Sequence, residues 1–70
     1  MRLSGTVKHW NRDRGYGFIV PDERGLDVFV HANAILEAGL REPEKGDRLT
    51  FAMTTDERSG KPRATALEAE

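Results

Sequence analysis

Residues 14–20 read Arg-Gly-Tyr-Gly-Phe-Ile-Val. Successive side chains of an extended strand point to opposite faces. One face of such a strand would carry Arg14, Tyr16, Phe18 and Val20, and the other Gly15, Gly17 and Ile19. Residues 27–31 alternate in the same way, with Val28 and Val30 on one side and Phe29 and His31 on the other. In residues 5–8, Gly5 and Val7 oppose Thr6 and Lys8. Each segment thus has a small or aliphatic face and a face mixing polar or ionisable groups with, in two of the three, rings. Lys8, Arg14 and His31 cannot share an interior without a desolvation cost of roughly several kcal/mol. The mixed face is therefore expected to meet water, and Val7, Ile19, Val28 and Val30 to point inward. Ile35, Leu49, Phe51 and Leu67 are candidate additions to that core. Glycine on the inner face would let the strands curl tightly enough to close a barrel.

The elements follow from short apolar runs separated by turn residues. A first strand is expected over Leu3–Asn11 and a turn over Asn11-Arg12-Asp13, where Asn and Asp tolerate the required backbone angles. A second strand over residues 14–20 stops at Pro21-Asp22, and Glu23-Arg24-Gly25 turns the chain into a third over Asp27–His31. Residues 32–38 have helical character, ending at Gly39. Residues 40–46, with Pro43, read as loop. Strands over Asp47–Thr54 and Arg63–Ala69 flank a polar turn around Ser59-Gly60. One domain over residues 1–70 is expected. Its fold class is all-β, a five-stranded antiparallel OB-fold barrel, the oligonucleotide-binding architecture.

This face assignment leaves Tyr16, Phe18 and Phe29 outside. Trp10, in step with Thr6 and Lys8, would join them, so that four of the five aromatic residues of the chain lie on the surface. Leaving such rings unburied forgoes ~1.5–3 kcal/mol apiece, and contiguous exposed apolar patches mark binding sites. Rings interleaved with cations suit unpaired nucleic acid, since bases stack on them at ~1–3 kcal/mol each with little regard for sequence. A duplex hides its base faces.

Charge sharpens this picture. The formal net charge of −1 argues against a generally basic nucleic-acid binder. Its distribution is uneven: residues 1–20 hold four Lys/Arg against one carboxylate, and residues 21–70 hold seven against eleven. Such asymmetry points to an anion met by the N-terminal third while the rest stays acidic. The chain has no cysteine, which suits a reducing compartment, and no apolar run approaching the ~20 residues that span a bilayer. No membrane association and a cytoplasmic location are expected. Two histidines without cysteine make a weak metal signal, and neither a nucleophile nor a paired acid accompanies His31. No metal, cofactor or catalytic turnover is expected.

Gly5-Thr6-Val7-Lys8, Asn11 and Arg14-Gly15-Tyr16-Gly17-Phe18-Ile19 together resemble the cold-shock domain family. The last six are similar to its first ribonucleoprotein motif, and Asp27-Val28-Phe29-Val30-His31 to its second. The resemblance continues through Ala34-Ile35, Gly39 and residues 46–51, and covers nearly the whole chain. It implies a five-stranded antiparallel barrel that binds single-stranded RNA and DNA. It further implies an RNA chaperone that melts weak secondary structure, with roles in transcription or translation. The chain departs from the family pattern at His9-Trp10, where Trp-Phe is usual, and at Ala32 and Leu40, where aromatics are common. A shorter or weaker stacking track is expected.

The expected nucleic-acid-binding residues are Lys8, His9, Trp10, Arg12, Arg14, Tyr16, Phe18, Phe29 and His31. Trp10, Tyr16, Phe18, Phe29 and His31 would stack bases, and Lys8, Arg12 and Arg14 would meet phosphates, with His9 at the edge. Lys61 and Arg63 could support a bound phosphate or simply be exposed, and exposure is the favoured reading. The partners expected are single-stranded RNA and DNA, bound by a monomer. The long connection after the third strand would also permit strand exchange between two copies. An aromatic patch serving a protein partner is the alternative.

Overall fold

A computed structural model describes residues 2–23 and 27–70. The elements run β1 (Leu3–Asn11), β2 (Tyr16–Pro21), β3 (Val28–His31), α1 (Ala32–Glu37), β4 (Arg48–Thr55) and β5 (Pro62–Ala69). The strands close into a barrel in the order β1-β2-β3-β5-β4. Each expected strand is present, and α1 occupies the expected helical segment. Of the expected turn at Glu23-Arg24-Gly25, Arg24 and Gly25 lie outside the described residues.

The barrel is mixed rather than wholly antiparallel. β1–β2, β2–β3, β1–β4 and β4–β5 are antiparallel, but β3 and β5 pair in parallel, with Phe29 opposite Arg63. Five is an odd number, so a closed ring of five strands cannot alternate direction throughout. One parallel pair is required by closure.

The interior is the aliphatic face read from the sequence. Val7, Ile19, Val28, Val30, Ile35, Leu49, Phe51, Ala64 and Leu67 are buried, with no buried polar or charged residue among those described. Ala64 is the one addition. Gly5 and Gly17 are buried with them. A Cβ on Gly5 would lie 2.6 Å from Ile19 Cγ2 and 2.7 Å from the Val20 carbonyl oxygen. The inner face at that point holds backbone and no more.

Two irregularities bend the sheet. In β1 the register with β2 shifts between Val7, opposite Ile19, and His9, opposite Phe18, so that Lys8 is the extra residue of a bulge. In β5 a second shift falls opposite Thr50–Ala52, and there Ala66 takes a left-handed φ of 51°. Bulges increase local twist, which a small barrel needs.

One end of the barrel is tied by Arg48. Its guanidinium donates to both Asp22 carboxylate oxygens at 2.7 Å, to Glu70 at 3.0 and 3.1 Å, and to the Thr6 hydroxyl at 3.0 Å. The Arg48 hydrogen bond holds the Asp22 carboxyl below its ordinary value. It does the same for Glu70, helped by the Ser4 hydroxyl. Because both acids titrate lower in the folded state, their stabilisation is present above the ordinary carboxylate range and is lost as pH falls through the lowered values. The difference in Tm between the wild type and Arg48→Gln is therefore expected to shrink between about pH 7 and pH 3. Thermal melts monitored by circular dichroism would measure it, and a difference unchanged with pH would contradict the assignment.

Helix α1 is six residues long, and no described helix is long and apolar enough to cross a membrane.

Candidate nucleic-acid interface

β2 and β3 build the centre of the site. Their register sets Tyr16 opposite His31 and Phe18 opposite Phe29, and directly opposed residues share a face. The rings of Tyr16 and Phe29 lie 5.7 Å apart with planes tilted by 31°. Phe18 meets Tyr16 edge-on at 6.1 Å and Phe29 at 6.0 Å. His31 continues the row, 6.3 Å from Phe29. These are ordinary distances for aromatic pairs. The three rings are half-buried, largely by one another, and His31 is exposed. They lie on the outer surface with the valines beneath them, as the alternation requires.

His31 also caps α1: its Nδ1 accepts the backbone N–H of Asn33 at 3.1 Å. An accepting Nδ1 carries no hydrogen, so the neutral ring keeps its proton on Nε2. That leaves a single outward donor beside the rings.

Trp10 corrects the sequence reading. It was expected on the ring face, in step with Lys8. The bulge at Lys8 moves every later residue of β1 by one place, so Trp10 faces Gly17 and Asn11 faces Tyr16. Gly17 is on the inner side, and the indole packs half-buried against the margin of the core. A glycine opposite makes room for it: a Cβ there would overlap the His9 carbonyl oxygen and sit 2.6 Å from Trp10 Cε3. The same shift brings His9 opposite Phe18, so His9, not Trp10, extends the ring face. Lys8 and His9 are both exposed.

Arg14 lies in the hairpin turn and not in β2, which begins at Tyr16. Its backbone N–H donates to the Asn11 side chain at 3.1 Å. The turn closes through Gly15, whose N–H reaches the Asn11 carbonyl at 2.8 Å with a φ of +72° that favours glycine. Arg14 is exposed and makes no ion pair among the described residues. The other two expected phosphate ligands are already engaged. Lys8 pairs with Asp27 at 3.1 Å, and Arg12 with Glu42 at 2.7 Å. Phosphate would have to compete for both.

Two further features border the site. Arg63, for which the sequence favours simple exposure over support of a bound phosphate, is exposed and stands beside Phe29 across the parallel pair. It also lines a hollow with His31, Asn33 and Glu37. Only barrel closure brings β5 there, so nothing local in the sequence announces it. The second is an open groove of ≈ 500 Å³, continuing from His9 and walled by β1 on one side and residues 42–45 on the other. Among the described residues no cluster of acids and histidines could hold a metal ion.

Comparison with known proteins accords with this arrangement. Residues 3–69 match the family model described as the "'Cold-shock' DNA-binding domain". The chain is 45% identical over 69 residues to the "Probable cold shock protein y4cH" of Sinorhizobium fredii, covering 99% of this chain and all of that protein. It is 47% identical over 66 residues to "Cold shock protein CspA" of Rhizobium meliloti, covering 94% and 96%. A "Cold shock-like protein" of Aquifex aeolicus is 39% identical over 64 residues, covering 91% and 89%.

Proposed function

Since the chain belongs to the cold-shock domain family of nucleic-acid-binding proteins, we propose that it binds single-stranded RNA and DNA, without catalytic turnover, as an RNA chaperone. The observation that carries this reading is the row Tyr16, Phe18, Phe29 and His31, adjacent rings between 5.7 and 6.3 Å apart on one outer face. Such a row offers platforms to unpaired bases and nothing comparable to a duplex, whose base faces are stacked on each other. His9 lies at its edge. Arg14 and Arg63 meet phosphates most readily, since neither makes an ion pair among the described residues. Lys8 and Arg12 can do so only by exchanging carboxylate partners. Trp10 packs on the margin of the core and lines the open groove beside His9.

At ~1–3 kcal/mol per stacked base, less the several kcal/mol lost on association, a short oligonucleotide should bind with roughly micromolar affinity. That permits the fast release a chaperone needs. Binding weaker than the duplex-forming energy of long helices but comparable to that of a marginal hairpin would melt the latter alone. The test is fluorescence anisotropy with a labelled unpaired strand and with the same strand annealed to its complement. The unpaired strand is expected to bind at least tenfold more tightly. Equal affinity would defeat the stacking reading. For the chaperone role, a short RNA hairpin should lose melting temperature on addition of the protein.

A further inference from the structure

We propose that Glu42 sets the affinity of this protein for nucleic acid by holding Arg12 in the place a phosphate would take, an inference that rests on the single-strand reading above. The Arg12 Nε–Glu42 Oε1 distance is 2.7 Å, the geometry of a charge-assisted hydrogen bond. The two residues come from different parts of the chain: Arg12 from the exposed hairpin turn after β1, Glu42 from the connection between α1 and β4. Both line the open groove that also takes in His9 and Trp10.

Glu42 is delivered there by its backbone. Pro43, next to it, is buried. The following turn is closed by Glu44 N–H on the Asp47 carboxylate and Asp47 N–H on the Glu44 carbonyl, both at 3.0 Å. That turn is fastened to β1 by Gly46 N–H on the Val7 carbonyl and Val7 N–H on the Asp47 carbonyl, both at 2.8 Å. Arg12, by contrast, is 80% exposed and free to turn. The segment carrying Glu42 is thus anchored, and the guanidinium is the more exposed partner of the pair.

A strand that runs from the rings over His9 enters a groove whose cations are Lys8, Arg12 and Lys45 and whose carboxylates are Glu42 and Glu44. When a phosphate takes Arg12, one ion pair is broken as another forms. Glu42 is then left facing the strand, where it repels phosphate and recruits a counterion. The Arg12 contact therefore adds little affinity and little salt dependence so long as Glu42 is charged. Glu42→Gln keeps the side chain's shape and removes both effects.

The test measures binding of a labelled oligopyrimidine strand by anisotropy across a salt series, for the wild type, Glu42→Gln, and the control Glu68→Gln. Glu68 also forms an exposed ion pair, with Arg2 at 3.3 Å, but on β5 opposite Thr50. Glu42→Gln is expected to bind about two- to fivefold more tightly at low salt, the range of one exposed ion pair. Its log–log salt slope should steepen by ~0.7, one phosphate contact to a single strand. Glu68→Gln should match the wild type, and Arg12→Gln added to Glu42→Gln should return affinity and slope to wild-type values. Thermal melts establish that each variant is folded. A Glu42→Gln protein that binds like Glu68→Gln, or more weakly, or with an unchanged slope, overturns the proposal. A wild type that prefers no unpaired strand overturns the functional reading instead, so the two failures are distinguishable.

Discussion

Replacing Phe18 and Phe29 together by alanine is expected to weaken binding of a short unpaired oligonucleotide at least tenfold. Each ring faces the other at 6.0 Å, and each also touches Tyr16. Losing them removes two platforms and the side support of a third. At ~1–3 kcal/mol per stacked base, two platforms amount to tenfold or more even at the lower bound. Neither ring belongs to the buried core, which is Val7, Ile19, Val28, Val30 and their neighbours. The barrel should therefore persist in the variant, with a lowered denaturation midpoint because the rings half-bury one another. Anisotropy measured beside far-UV circular dichroism separates the two effects. A folded variant with normal affinity would show that bases do not lie on this face, and loss of a protein partner in the same variant would turn the patch into an interaction surface.

The second large effect is on stability. Gly17→Ala is expected to destabilise the fold by about 1–3 kcal/mol, the usual cost of forcing an extra group into a filled interior. The new methyl would overlap the His9 carbonyl oxygen and come within 3.0 Å of Trp10 Cα, both backbone atoms of the bulged strand. A flexible side chain could swing away, but backbone at this point can retreat only by breaking the β1–β2 register. A chain of 70 residues without disulfides has a net stability of only ~3–5 kcal/mol to lose. The substitution thus threatens folding itself. Urea denaturation read by Trp10 fluorescence would measure it, since the indole packs on this glycine. A midpoint equal to that of the wild type would mean that Trp10 and the bulge do not lie as described.

Much of the site was legible because its information is local. Alternation of period two within residues 5–8, 14–20 and 27–31 decides which side chains go together. The cost of burying Lys8, Arg14 and His31 decides which group goes inward. The four core positions expected from that reasoning, Val7, Ile19, Val28 and Val30, are buried, as are the four candidate additions, and the row Tyr16–Phe18–Phe29–His31 follows from the same alternation once β2 and β3 pair. Arg14 is the exception within those segments: the turn extends to Gly15, so strand alternation never reaches it.

What local pattern could not supply is where the pattern breaks. Trp10 changes sides because Lys8 bulges, and a bulge answers to the curvature that barrel closure demands of β1, not to any residue beside it. The parallel β3–β5 pair is likewise a consequence of closing an odd number of strands. That pair is what carries Arg63 to Phe29. Glu42 meets Arg12 across 30 residues of sequence because a buried proline and a turn fastened to Val7 aim it there. The faces of the strands were determined by side-chain chemistry read two residues at a time. Which indole, which arginine and which carboxylate border those faces was decided only when the ends of the sheet met, since that closure alone sets register between distant segments.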